Sequence, residues 1–441
     1  MSESENKEVK KMSWELKKYP LYYGSVKQPF SKSVVVGNLI FLSGASGCSL
    51  ETGQVLSDKL EDQVVVALDE VRFALEEAGS SMDNIVKTTI LLRDINDYPS
   101  VQQVELEYYK KYAPCLVEEP PVSTVVHVGS LVKRCFEVEI DVVAVMNKTE
   151  SSWEVNRYPM YYGEVKQVYP NIAHGVPYCS RSVTVGNLVF LSSMDGRSVN
   201  TGQVSSNSFE VQLTVALDKI RLAMEEVGGT MDNVIKITRF MRDLRNISAM
   251  WRVERDYYQR YAPCLLGQPP ASTFLKSPSL TNPESLIELE AIGVVPGNKT
   301  GWEVKTGWEV RKYPLYYGVR QPFAKSAVVG GLVFLSGMSG GRTVDGRPAL
   351  NDLKTQLVTA LDKIKLAMEE VGSSMNSIVK TTILVRNLED YPQVRQMELE
   401  YYEENASLLV EEPPVSTVMQ PQSLVNPHHL MTIDVIGTVS R

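Results

Sequence analysis

The chain is short of positive charge. Its 45 lysines and arginines face 53 acidic residues, giving a formal net charge of −8 and an isoelectric point near 5.4. Phosphate backbones are normally met by a basic stripe, so this balance weighs against a dedicated nucleic-acid binder. Cysteine is sparse, with five in 441 residues. Cys115 and Cys264 hold matching places, Cys48, Cys135 and Cys179 have no counterparts, and no pair has CxxC spacing, which excludes a disulfide framework. The four histidines, His127, His174, His428 and His429, make no HExxH pattern and have no cluster of Cys or Asp around them. No metal and no cofactor is therefore expected, and neither a P-loop nor a dinucleotide fingerprint contradicts this. No apolar run is long enough to span a bilayer, and the opening MSESENKEVKK lacks the apolar core of a signal peptide. A cytoplasmic protein with no membrane contact is the expectation.

What the chain does have is repetition. The stretch VGNLIFLSG from Val36 to Gly44 returns as VGNLVFLSS from Val185 and as VGGLVFLSG from Val329, so the marker glycines Gly37, Gly186 and Gly330 stand 149 and 144 residues apart. That period is too long for a solenoid unit and suits a whole small domain. Three domains are read, 14–147, 153–296 and 308–441. Each opens on an aromatic preface, WELKKYPLYYG from Trp14, WEVNRYPMYYG from Trp153 and WEVRKYPLYYG from Trp308. An edge strand packing its rings on the domain body is preferred over ligand stacking there. The TGWEV at Thr300 and again at Thr306 marks a duplicated linker.

Within the first copy, Gly37-Asn38 between two apolar runs predicts a tight hairpin. Leu60, Val64, Leu68, Val71, Leu75 and Ala78 fall on one helical face, stopped by Gly79. A strand is expected over Ile85–Leu92 and a helix from Pro99 to about Tyr112. A proline corner at Pro120-Pro121 leads to a strand at Ser123–Val126. In the last strand Phe136, Val138, Ile140 and Val142 alternate with Glu137, Glu139 and Asp141, which predicts one buried and one polar face. The order ββαβαββ gives a two-layer α/β unit whose open sheet face other copies can cover, hence a single-chain pseudo-trimer. The GxSxG at Gly337–Gly341 is followed by a glycine-rich loop rather than a helix, so it is not a nucleophile elbow.

This element order, with the VGNLIFLSG hairpin, the helix LDEVRFALEEAG, the strand DNIVKTTILLRD and the terminal EVEIDVVAV, resembles the Rid family, also called YjgF-like proteins. The resemblance covers nearly all of each copy. It implies an α+β fold of three tandem chorismate-mutase-like domains, with small-molecule pockets in the clefts between neighbouring units. It also implies hydrolysis of enamines and imines by a deaminase-like enzyme. In that family an arginine after the proline corner holds the substrate carboxylate, within a pattern like P-A-R-S-C; here PPVST, PPAST and PPVST put Val122, Ala271 and Val415 at its place. A neutral side chain makes no charge-assisted bond to a carboxylate, so the expected substrate is a carbonyl, imine or enamine compound lacking that group.

The family's pocket tyrosine matches Phe30 and Phe323, with Cys179 or Tyr178 in the second copy. Its hairpin serine matches Ser43, Ser192 and Ser336, expected as hydrogen-bond donors. Its last-strand carboxylate matches Glu139 and Glu288, expected as acid/base groups, but Thr432 in the third copy. Copy two has an insertion at Val168–Val176 containing His174, and places Arg239 and Trp251 where copy one has Ile90 and Gln102. Copy three places Arg395 at the Gln102 position. Arg239 and Arg395 are candidates to replace the missing cation. A non-catalytic ligand- or partner-binding protein is the alternative reading. The ribonuclease activity attributed to some relatives finds no basic groove here.

Overall fold

In the computed structural model residues 16–147, 153–162, 165–166, 178–204, 206–295, 310–316 and 318–439 are described. Trp14, Trp308, the duplicated TGWEV apart from Val310 and the 168–176 insertion with His174 lie outside them. In copy one, β1 (Leu16–Tyr23) and β2 (Val26–Val36) form a hairpin that runs into β3 (Leu39–Leu42). Gly37 makes that second turn with a φ of +56°, a left-handed conformation that glycine adopts without steric cost. Then follow β4 (Ala45–Ser46), α1 (Leu60–Glu77), β5 (Ile85–Leu92), α2 (Tyr98–Tyr112), the single turn α3 (Cys115–Glu118), β6 (Val122–His127), β7 (Ser130–Leu131) and β8 (Val138–Val145). The sheet runs β1-β2-β3-β8-β5-β6, with β5 and β6 parallel. Copies two and three repeat it, with long helices at Phe209–Glu226 and Ile247–Tyr261, and at Leu353–Glu370 and Tyr391–Asn405.

Both helices lie on one face of the sheet. The α1 stripe Val64, Leu68, Val71 and Leu75 packs against Ile40, Leu42, Val138, Ile140 and Val142. The opposite faces of the three sheets meet in one apolar core that includes Phe41 and Val122 from copy one, Phe190 and Ala271 from copy two, and Phe334 and Val415 from copy three. The sheets thus close around a shared axis. Trp153 is buried in that same core, so the aromatic preface of copy two does pack on the body.

The seams repeat one set of bonds. The carbonyls of Pro121, Pro270 and Pro414, at the three proline corners, accept from the backbone N–H of Ser180 (2.9 Å), Ala324 (3.0 Å) and Ser31 (3.0 Å) of the adjoining copy. Nearer the axis each copy's β5 or its equivalent sends a lysine to a carboxylate on the last strand of the next copy. The pairs are Lys87 with Glu290 at 2.8 Å, Lys380 with Asp141 at 2.5 Å, and Lys236 with Asp434. Thr124, Thr417 and Thr273 donate to the same three carboxylates. Together these pairs ring an axial cavity of about 120 Å³.

One expectation needs correction here. The last strand alternates as read, but every residue of β8 is buried. Val138, Ile140 and Val142 face the helices, while Glu139 and Asp141 turn toward the seam and axis rather than to water.

Candidate functional site

The seam between copies one and two holds a cleft of about 220 Å³. Copy one supplies Gln102 from α2 and Ser123 and Val125 from β6; copy two supplies Tyr178, Cys179, Ser193 and Glu288. Glu288, on the strand Ile287–Val294, is 3% exposed. Ser193 and Thr281 donate to its carboxyl. Burial, and after it the nearby Asp195, push that carboxyl up to about 7, so both protonation states are populated near neutrality. Beside it two cations share one carboxylate: Asp195 accepts from Lys219 at 2.8 Å and from Arg197 at 2.6 Å. Burial opposes ionisation of Asp195, yet those two cations hold it below its ordinary value. The Cys179 thiol is pushed up to about 12 by burial, which leaves it a neutral wall rather than a nucleophile.

At the seam between copies three and one, Glu139 is equally enclosed. Its carboxyl lies so close over Gly44 that a Cβ there would stand 1.9 Å from Oε1; in copy two the matching position is Ser193, whose hydroxyl instead bonds Glu288. Burial, then Asp141 and Glu70, raise Glu139 to about 8; Glu70, buried on α1, rises to about 8 as well. Two protonatable carboxyls therefore share this seam. At the third seam, between copies two and three, Thr432 takes the carboxylate's place. Phe323 stacks there on Trp251 of copy two with ring centres 6.1 Å apart, beside a cleft of about 800 Å³.

The three hairpin serines have a different task from the one expected. Ser43 donates to the Ser31 carbonyl at 2.7 Å and accepts from Ser416 N–H at 2.8 Å. Ser192 does the same with Ser180 and Ser123, and Ser336 with Ala324 and Ser272. Each has given its single proton to the protein, so these hydroxyls pin the seams. Val122, Ala271 and Val415 also move: they are fully buried in the axial core and line neither seam cleft, so they are not substrate contacts. A strand's side chains alternate, and the cleft-facing position is the next one along. Ser123 lines the cleft with a buried hydroxyl that makes no hydrogen bond within the protein. Its counterparts are occupied, Ser272 by Arg239 and Ser416 by Thr381. The residue after the position expected for an arginine was the signal to read.

Neither candidate arginine is available. Arg239 is 0% exposed, with Nε and Nη2 on the two oxygens of Glu254 at 2.8 and 2.9 Å and its plane near the Trp251 and Phe274 rings. Arg395 pairs with Glu398, donates to the Pro29 carbonyl and lies 5.8 Å from the Phe30 ring centre. Both charges are neutralised in place. Among the described residues no group of three His, Cys, Asp or Glu side chains is arranged to hold a metal, and no helix is long and apolar enough to cross a membrane.

The profile of the endoribonuclease L-PSP family matches residues 25–146, 171–295 and 317–439. A RutC family protein of Aquifex aeolicus is 35% identical over 117 residues, 26% of this chain and 88% of that protein. The 2-iminobutanoate/2-iminopropanoate deaminase of Homo sapiens is 36% identical over 86 residues, 20% of this chain and 63% of that protein. Among solved structures, E. coli TdcF with bound serine is 25% identical, covering 30% of this chain and 100% of its own, with a TM-score of 0.27.

Proposed function

We propose, for a chain that belongs to the endoribonuclease L-PSP family with its domain present three times, that it is a small-molecule hydrolase working in the cleft between copies one and two. The observation that carries this reading is the pairing of Glu288 with Ser123. One is a buried carboxyl poised near neutrality, the other a buried hydroxyl without a protein partner, and both line the same cleft. Neutral Glu288 gives its proton to an imine nitrogen while Ser123 orients the substrate. The carboxylate so formed takes a proton from the water that adds to the carbon, and collapse of the adduct leaves a carbonyl compound and ammonia. Arg197 bonds Asp195 through Nε, and among the described residues no arginine of this cleft stands on the strand after the proline corner, which favours a substrate that does not depend on a carboxylate held from that strand.

The test is ammonia release from freshly generated 2-aminoacrylate and from an imine of similar size without a carboxylate. The second should turn over faster. Glu288→Gln should lower its kcat by about 100-fold or more, the usual worth of a positioned acid/base group. Ser123→Ala should cost about tenfold, as one hydrogen bond does. Full activity in Glu288→Gln would end the assignment. Loss of the carboxylate to Thr432 favours ligand binding without catalysis at the copy two–three seam.

A further inference from the structure

The 800 Å³ cleft on copy three, at the seam with copy two, has cationic and no anionic lining. Arg342 and Lys363 line it together with His428 and His429, and no Asp or Glu is among the described residues that do. The other copies supply an internal control at matching positions. Copy one sets Glu70 and Glu139 there. Copy two sets Lys219 and Arg197 against Asp195, with Glu288 beside them. In copy three Lys363 keeps the place of Lys219, but Ser339 stands for Asp195 and Thr432 for Glu288. Lys363 donates to the Ser339 carbonyl at 2.7 Å instead.

Histidine has been added at the same point. His429 approaches Gly341 so closely that a Cβ there would lie 2.4 Å from Nε2, so its position depends on glycine where copy two carries Arg197. The imidazole lies 3.5 Å from the Ser339 hydroxyl. Arg342 is exposed at the rim and bonds the Gly346 carbonyl at 2.8 Å. On the seam side the wall is apolar, with Phe323 stacked on Trp251 and Val425 nearby.

We propose that this cleft binds a small organic phosphate, a phosphate monoester with an apolar or aromatic body. Arg342 and the buried Lys363 bring two cationic groups, which match the charge of about −2 on a monoester, where a carboxylate brings one negative charge. His429 is positioned to add a hydrogen bond, and Phe323 gives the body a surface. The assignment is independent of catalysis at Glu288, which lies in another cleft, so either can fail alone.

Calorimetric titration of the full chain at low ionic strength, with phenyl phosphate, inorganic phosphate and benzoate as probes, tests it. Phenyl phosphate should bind saturably, and both inorganic phosphate and benzoate at least about tenfold more weakly. Ser339→Asp, which restores the copy-two counter-ion beside Lys363, should weaken phenyl phosphate by about tenfold or more. Arg342→Ala, at an exposed position where folding is safe, should weaken it several-fold, with thermal melting confirming that both variants are folded. Absence of saturable binding would overturn the proposal. So would benzoate or inorganic phosphate binding as tightly as phenyl phosphate, or unchanged affinity in Arg342→Ala.

Discussion

Four buried glutamates carry carboxyls raised chiefly by burial: Glu70 and Glu139 to about 8, Glu105 and Glu288 to about 7. Between pH 4.5 and those values the folded chain holds protons that the unfolded chain releases, so stability falls as pH rises through that window. His429, lowered to about 4 by burial and then Lys363, acts in the opposite sense below 6.5 but is one group against four. Lys312, lowered to about 7, and Lys18 and Lys363, lowered to about 8, bind fewer protons folded than unfolded up to 10.5, so stability recovers with pH there. Melting temperature should therefore drop from pH 5.5 to 7.5 and rise again toward pH 9. Glu105→Gln should flatten the first limb, gaining ~1–3 kcal/mol at pH 8 and little at pH 5. A melting curve of this variant that parallels the parent at both pH values would contradict the protonation assigned to Glu105.

Strand and helix are tied differently in each copy around one helical glutamate. In copy two the strand Val234–Met241 supplies Arg239 to Glu254 on Ile247–Tyr261. In copy three the helix supplies its own Arg395 to Glu398, and in copy one Ile90 and Gln102 leave Glu105 with a hydrogen bond from Tyr109 at 3.3 Å. Removing one partner of a buried ion pair strands the other charge, so Arg239→Met should cost about 3–5 kcal/mol in denaturant unfolding. The double variant Arg239→Met with Glu254→Leu should recover most of that loss; failure to recover would show that Arg239 contributes more than charge balance. At this scale the sequence was highly legible. The apolar period gave α1 from Leu60 and the strand Ile85–Leu92 with its observed bounds. What misled was parity: Val122 stands where the sequence reading expected an arginine's counterpart, but its side chain turns to the axis and the cleft belongs to Ser123.

The threefold arrangement could be read from the spacing of three glycines, because a repeated sequence must bury the same open sheet face three times. The ring of lysine–carboxylate pairs could not. Its partners lie 203, 198 and 239 residues apart, and each lysine by itself reads as a solvated charge. The seams carry this ring, the pinned serines and a shared apolar core, so the assembly should not depend on the peptide links between copies. A chain cut by a protease at a site inserted within 148–152 should still run as one particle in size-exclusion chromatography under native conditions. Separation of the fragments would mean that covalent continuity holds the seams together.

The near equivalence of those seams within a single polypeptide has a consequence for how the protein can change. In a ring of three identical chains a mutation lands on every junction at once, and a change that improves one junction but harms the scaffold is felt three times over. Here one codon alters one junction while the other two keep the ring standing. Glu288, Glu139 and Thr432 record that freedom already, and a designer could use it to install unrelated chemistries side by side without redesigning the frame.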